Sequence, residues 1–158
     1  MLLFSRMDTR SAQFIVGEFD GVHFTPESYQ QPECGTDFYA PQTFLDGKGR
    51  RLMIGWLYNW DRKVPEGASY AGALSVPTEL TLRDGKVFHY PAEETQSLLR
   101  GEDEHLLRQD GVLKVTNGER ILLERPLSQV SDAAVLRDTK TCEVFLNRGE
   151  QSCTFYFI

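Results

Sequence analysis

The chain has 158 residues, enough for one ordinary domain or two small ones, and 41% apolar with 25% charged residues sets aside disordered, collagen-like and membrane-spanning classes. Against 17 Lys and Arg stand 23 Asp and Glu, a formal charge of -6, so no summed positive field draws phosphate backbones or anionic lipid. Neither nucleic acid nor membrane is expected as a partner.

Met1 to Arg6 starts like a secretory leader, but it is too short for one and no small-residue cleavage site follows it. From there, short β-type segments separated by turns recur along nearly the whole chain, which argues for a sandwich, barrel or propeller. Gln13 to Phe19 reads as a strand that turns at Asp20-Gly21 into Val22-His23-Phe24. A second hairpin joins Phe38–Phe44 to Arg51–Tyr58 through Asp46-Gly47-Lys48-Gly49. Gly72–Val76 and Glu79–Leu82 follow, with Pro77 marking a corner or edge, and Asp84-Gly85 turns the chain into Lys86–Tyr90.

From Pro91 to Arg100 the pattern changes to a short helical connector, with Leu98 and Leu99 placed for an apolar face. Gly101 to Asp110 is charged and lacks apolar periodicity, so it is the expected domain boundary or surface excursion. Strand pattern then returns in Val112–Val115, turning at Asn117-Gly118 into Ile121–Leu123. Finally, Cys142–Leu146 is expected to pair with Cys153–Ile158 across Asn147–Glu150.

Cys34, Cys142 and Cys153 are odd in number and form no C-x-x-C, which points to free thiols and a cytoplasmic setting. Cys142 and Cys153 share a face but in a diagonal register, roughly 7 to 8 Å apart, too far for easy bridging. The histidines, His23, His89 and His105, are scattered, so no metal and no organic cofactor is expected. Glu93-Glu94 is read as solvated surface, since neighbours on a helix do not face one another. One block stands out: Glu33 to Phe44 concentrates an acid, aromatics, an amide and a Gly-Pro pair. Rings of this kind stack on sugar faces while carboxylate and amide oxygens accept hydrogen bonds from hydroxyls. The same residues equally suit a core strand with Asp37 capping a turn, and Trp56 and Trp60 carry the same ambiguity.

Gly35-Thr36-Asp37-Phe38-Tyr39-Ala40-Pro41-Gln42-Thr43-Phe44, followed by Gly49-Arg50-Arg51-Leu52-Met53-Ile54-Gly55-Trp56, resembles the family 32 glycoside hydrolases: invertases, sucrose-6-phosphate hydrolases and fructanases. Val16–Phe24, Gly72–Leu80, Pro91–Arg100 and Glu143–Glu150 are similar to further segments of such enzymes. The resemblance implies an all-β chain: the last blades of a five-bladed β-propeller over residues 1–100, then a reduced β-sandwich over 101–158. It also implies a fructose-containing sugar as partner (sucrose, sucrose 6-phosphate or fructan), and a sugar-binding wall containing Asp37, Phe38, Tyr39 and Trp56, with Glu33 where relatives recognise the donor sugar.

The family's catalytic aspartates, in Asn-Asp-Pro and Arg-Asp-Pro, have no counterpart in this sequence. Glu33-Cys34 spells the motif of the acid/base glutamate but occupies the place of the family's Asp-Tyr, and Thr78 replaces the family's arginine. No catalytic residue is therefore expected in this chain. The expectation is a β-fructofuranosidase fragment, inactive alone and prone to self-association through exposed blade edges. The alternatives are a noncatalytic carbohydrate-binding module and a degenerate structural remnant.

Overall fold

The computed structural model describes residues 1–64 and 66–157, built almost wholly from antiparallel strands. In chain order these are β1 (Leu2–Arg6), β2 (Ser11–Phe19), β3 (Phe24–Gln30), β4 (Tyr39–Leu45), β5 (Arg51–Leu57), β6 (Ala73–Leu74), β7 (Thr78–Arg83), β8 (Lys86–Pro91), β9 (Leu106–Gln109), β10 (Val112–Asn117), β11 (Arg120–Pro126), β12 (Ala133–Arg137), β13 (Thr141–Leu146) and β14 (Gln151–Tyr156). One sheet has the order β1-β2-β3, and a second has the order β4-β5-β7-β8 with β6 against β5. The remaining two are β11-β10-β9 and β12-β13-β14.

The expected hairpins are present, and their turns have a local cause. Asp20 Oδ1 accepts from the amides of Val22 (2.8 Å) and His23 (2.7 Å), and Asp46 Oδ1 does the same for Lys48 (2.9 Å) and Arg50 (2.8 Å). A short acceptor side chain reaching two to four residues ahead stabilises each reversal.

Three strands lie outside the sequence expectations. β1 falls where only a leader was weighed, β12 has no assignment, and β9 lies inside the charged stretch 101–110, where Leu106 is buried. The connector after β8 is a 3₁₀ turn over Glu93–Leu98, with Leu98 62% exposed, so it forms no apolar face. Its Glu94 binds Arg50 (2.9 Å) and Lys48 (2.8 Å), and these cations hold its carboxyl at about 2.

Alternation along the strands builds two cores. Ala12, Phe14 and Val16 of β2 pack with Phe38, Met53, Leu57, Leu80 and Val87, between the first two sheets. Leu106, Leu113, Val115 and Leu123 pack with Val135, Cys142, Val144, Cys153 and Phe155, between the other two. Cys142 lies opposite Phe155 and Cys153 opposite Val144, the diagonal register expected, and both thiols are free and buried. On the open face of the first sheet, Leu2, Ile15 and Tyr29 sit in one cross-strand row, with Phe4 beside them. Leu2 and Tyr29 there are 47% and 70% exposed. Among the described residues, no helix is long and apolar enough to cross a membrane.

Candidate functional site

β14 has two unlike faces. Cys153 and Phe155 point into the second core, whereas Ser152 and Thr154 turn their hydroxyls toward Glu33 in the segment that connects β3 to β4. That segment lies along β14 as a parallel addition. The Cys34 amide donates to Ser152 O (2.8 Å), the Ser152 amide to Pro32 O (2.9 Å), and the Thr36 amide to Thr154 O (3.0 Å).

Glu33 is 3% exposed and accepts four hydrogen bonds. Its Oε1 accepts from the amides of Gly35 (2.6 Å) and Thr154 (2.8 Å), and its Oε2 from the hydroxyls of Ser152 and Thr154 (both 2.8 Å). Burial pushes its carboxyl above the usual range even against these donors. Ser152 Oγ also lies 2.7 Å from His89 Nε2. With the hydroxyl hydrogen given to Glu33, Nε2 must carry the hydrogen of that contact, which leaves Nδ1 bare; Nδ1 is buried without a partner among the described residues. Burial lowers His89 to about 4, so the ring is neutral near pH 7.

Asp37 is fully buried. Its Oδ2 accepts from Thr36 Oγ1 (2.6 Å), Arg62 Nη2 (2.9 Å) and the Tyr156 amide (3.0 Å), and Arg62 Nη1 continues to Tyr156 O (3.1 Å). Phe38 is 4% exposed and lies over Gly55, where a Cβ would stand 2.5 Å from its ring. Glu143, on β13, is buried as well; its Oε1 accepts from the Val76 amide (2.9 Å), and burial pushes it up to about 8.

Tyr39 and Trp56 differ from these three because both remain partly accessible. They are cross-strand partners on β4 and β5, brought opposite each other by an irregular register between Tyr39 and Gln42. Ala40, in this bulge, takes a left-handed φ of 48° and donates its amide to Ser5 Oγ (3.0 Å). The Trp56 indole donates to Ala71 O (2.9 Å) and meets Trp60 edge-on at 4.9 Å, with Trp60 itself 61% exposed. Gly72, at φ 79°, permits this: a Cβ there would stand 2.7 Å from the indole nitrogen. The block therefore separates into buried anchors (Glu33, Asp37, Phe38) and an accessible aromatic surface (Tyr39, Trp56, Trp60).

The glycosyl hydrolases family 32 N-terminal domain matches residues 1–91, more than half of the chain. The chain belongs to glycosyl hydrolase family 32. A sucrose-6-phosphate hydrolase of Vibrio alginolyticus is 42% identical over 97 residues, covering 58% of this chain and 20% of the relative. One from Zymomonas mobilis is 30% identical over 120 residues, covering 74% and 22%. The chain thus spans only about a fifth of the length of these relatives. Among solved structures, a family 32 β-fructofuranosidase of Bombyx mori superposes with a TM-score of 0.73 at 20% identity, over 94% of this chain and 42% of that one. A family 32 glycoside hydrolase from Bifidobacterium adolescentis gives 0.66 at 22% identity, over 94% and 32%. The family 32 fold therefore extends through the C-terminal sheets, beyond the matched N-terminal domain.

The anchoring role of Arg62, His89, Glu143, Ser152 and Thr154 was missed from sequence. The one available signal is the alternation Ser152-x-Thr154-x-Tyr156 at the last strand. A polar residue at every second position of a buried strand marks a face that meets donors and acceptors.

Proposed function

We propose that this chain is part of a β-fructofuranosidase acting on sucrose, sucrose 6-phosphate or fructan, and that it supplies one wall of the fructosyl site. The observation that carries this reading is the cross-strand pair Tyr39 and Trp56, both partly accessible within the family motifs, with the Trp56 indole tied to Ala71 O. Their rings provide apolar faces for a sugar. Glu33, Asp37 and Phe38 act from behind, fixing the loop from which Tyr39 projects.

The chain alone does not hydrolyse glycosides in this reading. A retaining enzyme needs two carboxyls about 5 to 5.5 Å apart flanking the scissile bond. Glu33 and Asp37 are buried, and donors of β14 and Arg62 occupy them. Purified chain incubated with sucrose is expected to release no fructose. Release that Glu33→Gln or Asp37→Asn abolishes would overturn this. Sucrose or a short fructan is expected to shift tryptophan fluorescence, and Trp56→Ala to remove the shift; an unchanged shift would refute the wall assignment.

The reading includes a cytoplasmic setting, in keeping with three free cysteines. It also includes self-association through the open face carrying Leu2, Phe4 and Tyr29, which a concentration-independent monomer in sedimentation would exclude.

A further inference from the structure

The segment between β3 and β4 pairs with β14 in parallel at Glu33 and Ser152, held by the Cys34 amide on Ser152 O (2.8 Å) and the Ser152 amide on Pro32 O (2.9 Å). In a parallel pair, residues side by side send their side chains to the same face, and successive residues alternate between faces. Glu33 and Ser152 meet on one face through a hydrogen bond of 2.8 Å, so Cys34 and Cys153, next along each strand, share the other. The packing agrees: Cys153 is buried in the second core, and Cys34 packs against that same core. Paired strands run about 4.8 Å apart, inside the roughly 4.4 to 6.8 Å between Cα atoms that a disulfide spans.

The three thiols are not equivalent. Cys142 and Cys153 are 0% exposed. Cys34 is half-buried and borders a cavity of about 570 Å³ together with Arg10, Thr36, Asp61 and Arg120. On its β13 side Cys153 faces Val144, and Cys142 lies diagonal to it, opposite Phe155. The thiol reachable from solvent therefore has Cys153 as its direct neighbour across the joint.

We propose that Cys34 and Cys153 form a disulfide when a peroxide reaches the chain, a covalent tie between the loop behind Tyr39 and the last strand. Cys34 Sγ, as thiolate, attacks one peroxide oxygen; the O–O bond breaks, and the thiol proton leaves with the other oxygen as water, giving Cys34 sulfenic acid. Cys153 Sγ then attacks the Cys34 sulfur, the S–O bond breaks, and the hydroxyl departs with the Cys153 proton as a second water. Two electrons pass from the two sulfurs to the peroxide. Burial, and after it Glu33, hold the Cys34 thiol above its ordinary range with Arg125 opposing, so the first step is slow at neutral pH and quickens as pH rises. The tie does not depend on the fructosidase reading.

The test treats the full chain with hydrogen peroxide, then quenches it, alkylates it in denaturant and maps it by peptide mass spectrometry, alongside Cys34→Ser and Cys142→Ala. The three free thiols are expected to fall to one, Cys142, with Cys34 joined to Cys153 and the tie undone by dithiothreitol. Cys142→Ala is expected to form the same bridge, and Cys34→Ser to keep both remaining thiols. In the urea-unfolded chain the pairing is expected to move to Cys142 and Cys153, which are far closer in sequence. The proposal is overturned if all three thiols survive in the folded chain, if Cys34 goes to sulfinic acid beside a free Cys153, or if Cys34 bridges two chains instead. Loss of thiols in Cys34→Ser, or the same pairing folded and unfolded, overturns it as well.

Discussion

Glu143→Gln gives the sharpest test of how the C-terminal sheet is seated. The Glu143 carboxyl is buried against the Val76 amide and titrates at about 8, against an ordinary value of 4.5. Between these values the unfolded chain has released a proton that the folded chain retains, so stability falls as pH rises through the window and levels off above it. His89, lowered from 6.5 to about 4, acts with the opposite sign, but only below pH 6.5, where the unfolded state takes up its proton. The interval from pH 6.5 to 8 therefore isolates the buried acids. Over that interval Glu143 accounts for a loss of about 2 kcal/mol, at about 1.4 kcal/mol per pH unit. Glutamine keeps the oxygen that accepts from Val76 and has no proton to lose. Urea denaturation at pH 6.5 and pH 8 is expected to show the wild-type stability falling by about 2 kcal/mol more than that of the variant, the fall left in the variant belonging to Glu33, whose carboxyl burial also raises. An equal fall in both proteins would refute the placement of Glu143 as a buried proton holder.

The anchoring loop gives two further expectations. Gly35→Ala would drive a Cβ into the Thr154 carbonyl and amide, backbone that cannot turn aside, and is expected to lower stability by about 3 kcal/mol in urea denaturation. A loss within about 0.5 kcal/mol would mean the loop does not lie on β14. Asp37→Asn keeps the side-chain size but removes the charge that holds Arg62 and the Tyr156 amide, with an expected cost of about 2 kcal/mol. The same urea series measures it, and Arg62→Ala in the Asp37→Asn background should add little if the two act as a pair.

Turn chemistry made most of the fold legible from sequence. Asp20-Gly21, Asp46–Gly49, Asp84-Gly85 and Asn117-Gly118 each sit where a hairpin reverses. β9 was not legible, because only Leu106 of its residues is buried and its charged flanks gave no alternation. β1 was hidden in the same way, its exposed residues following no apolar period. At the candidate site, the motif around Tyr39 and Trp56 was readable by resemblance. Local pattern could not tell an acid that faces a sugar from one that faces its own protein. That distinction for Glu33 and Asp37 depends on donors that lie 121 and 119 positions away in the chain, respectively.

Those separations also govern how the molecule can assemble. The loop beneath Tyr39 finds three of the four donors to Glu33, and the Tyr156 amide for Asp37, only when β14 is in place, so it does not set fully while the first two sheets stand alone. Closure over so long a span is entropically slow and comes after the local hairpins. Cutting the chain near Gly101 would therefore not give two self-sufficient halves. The N-terminal piece would keep its hairpins and lose the order of its aromatic surface, and the C-terminal piece would expose the outer edge of β14 to any extended strand that could pair with it.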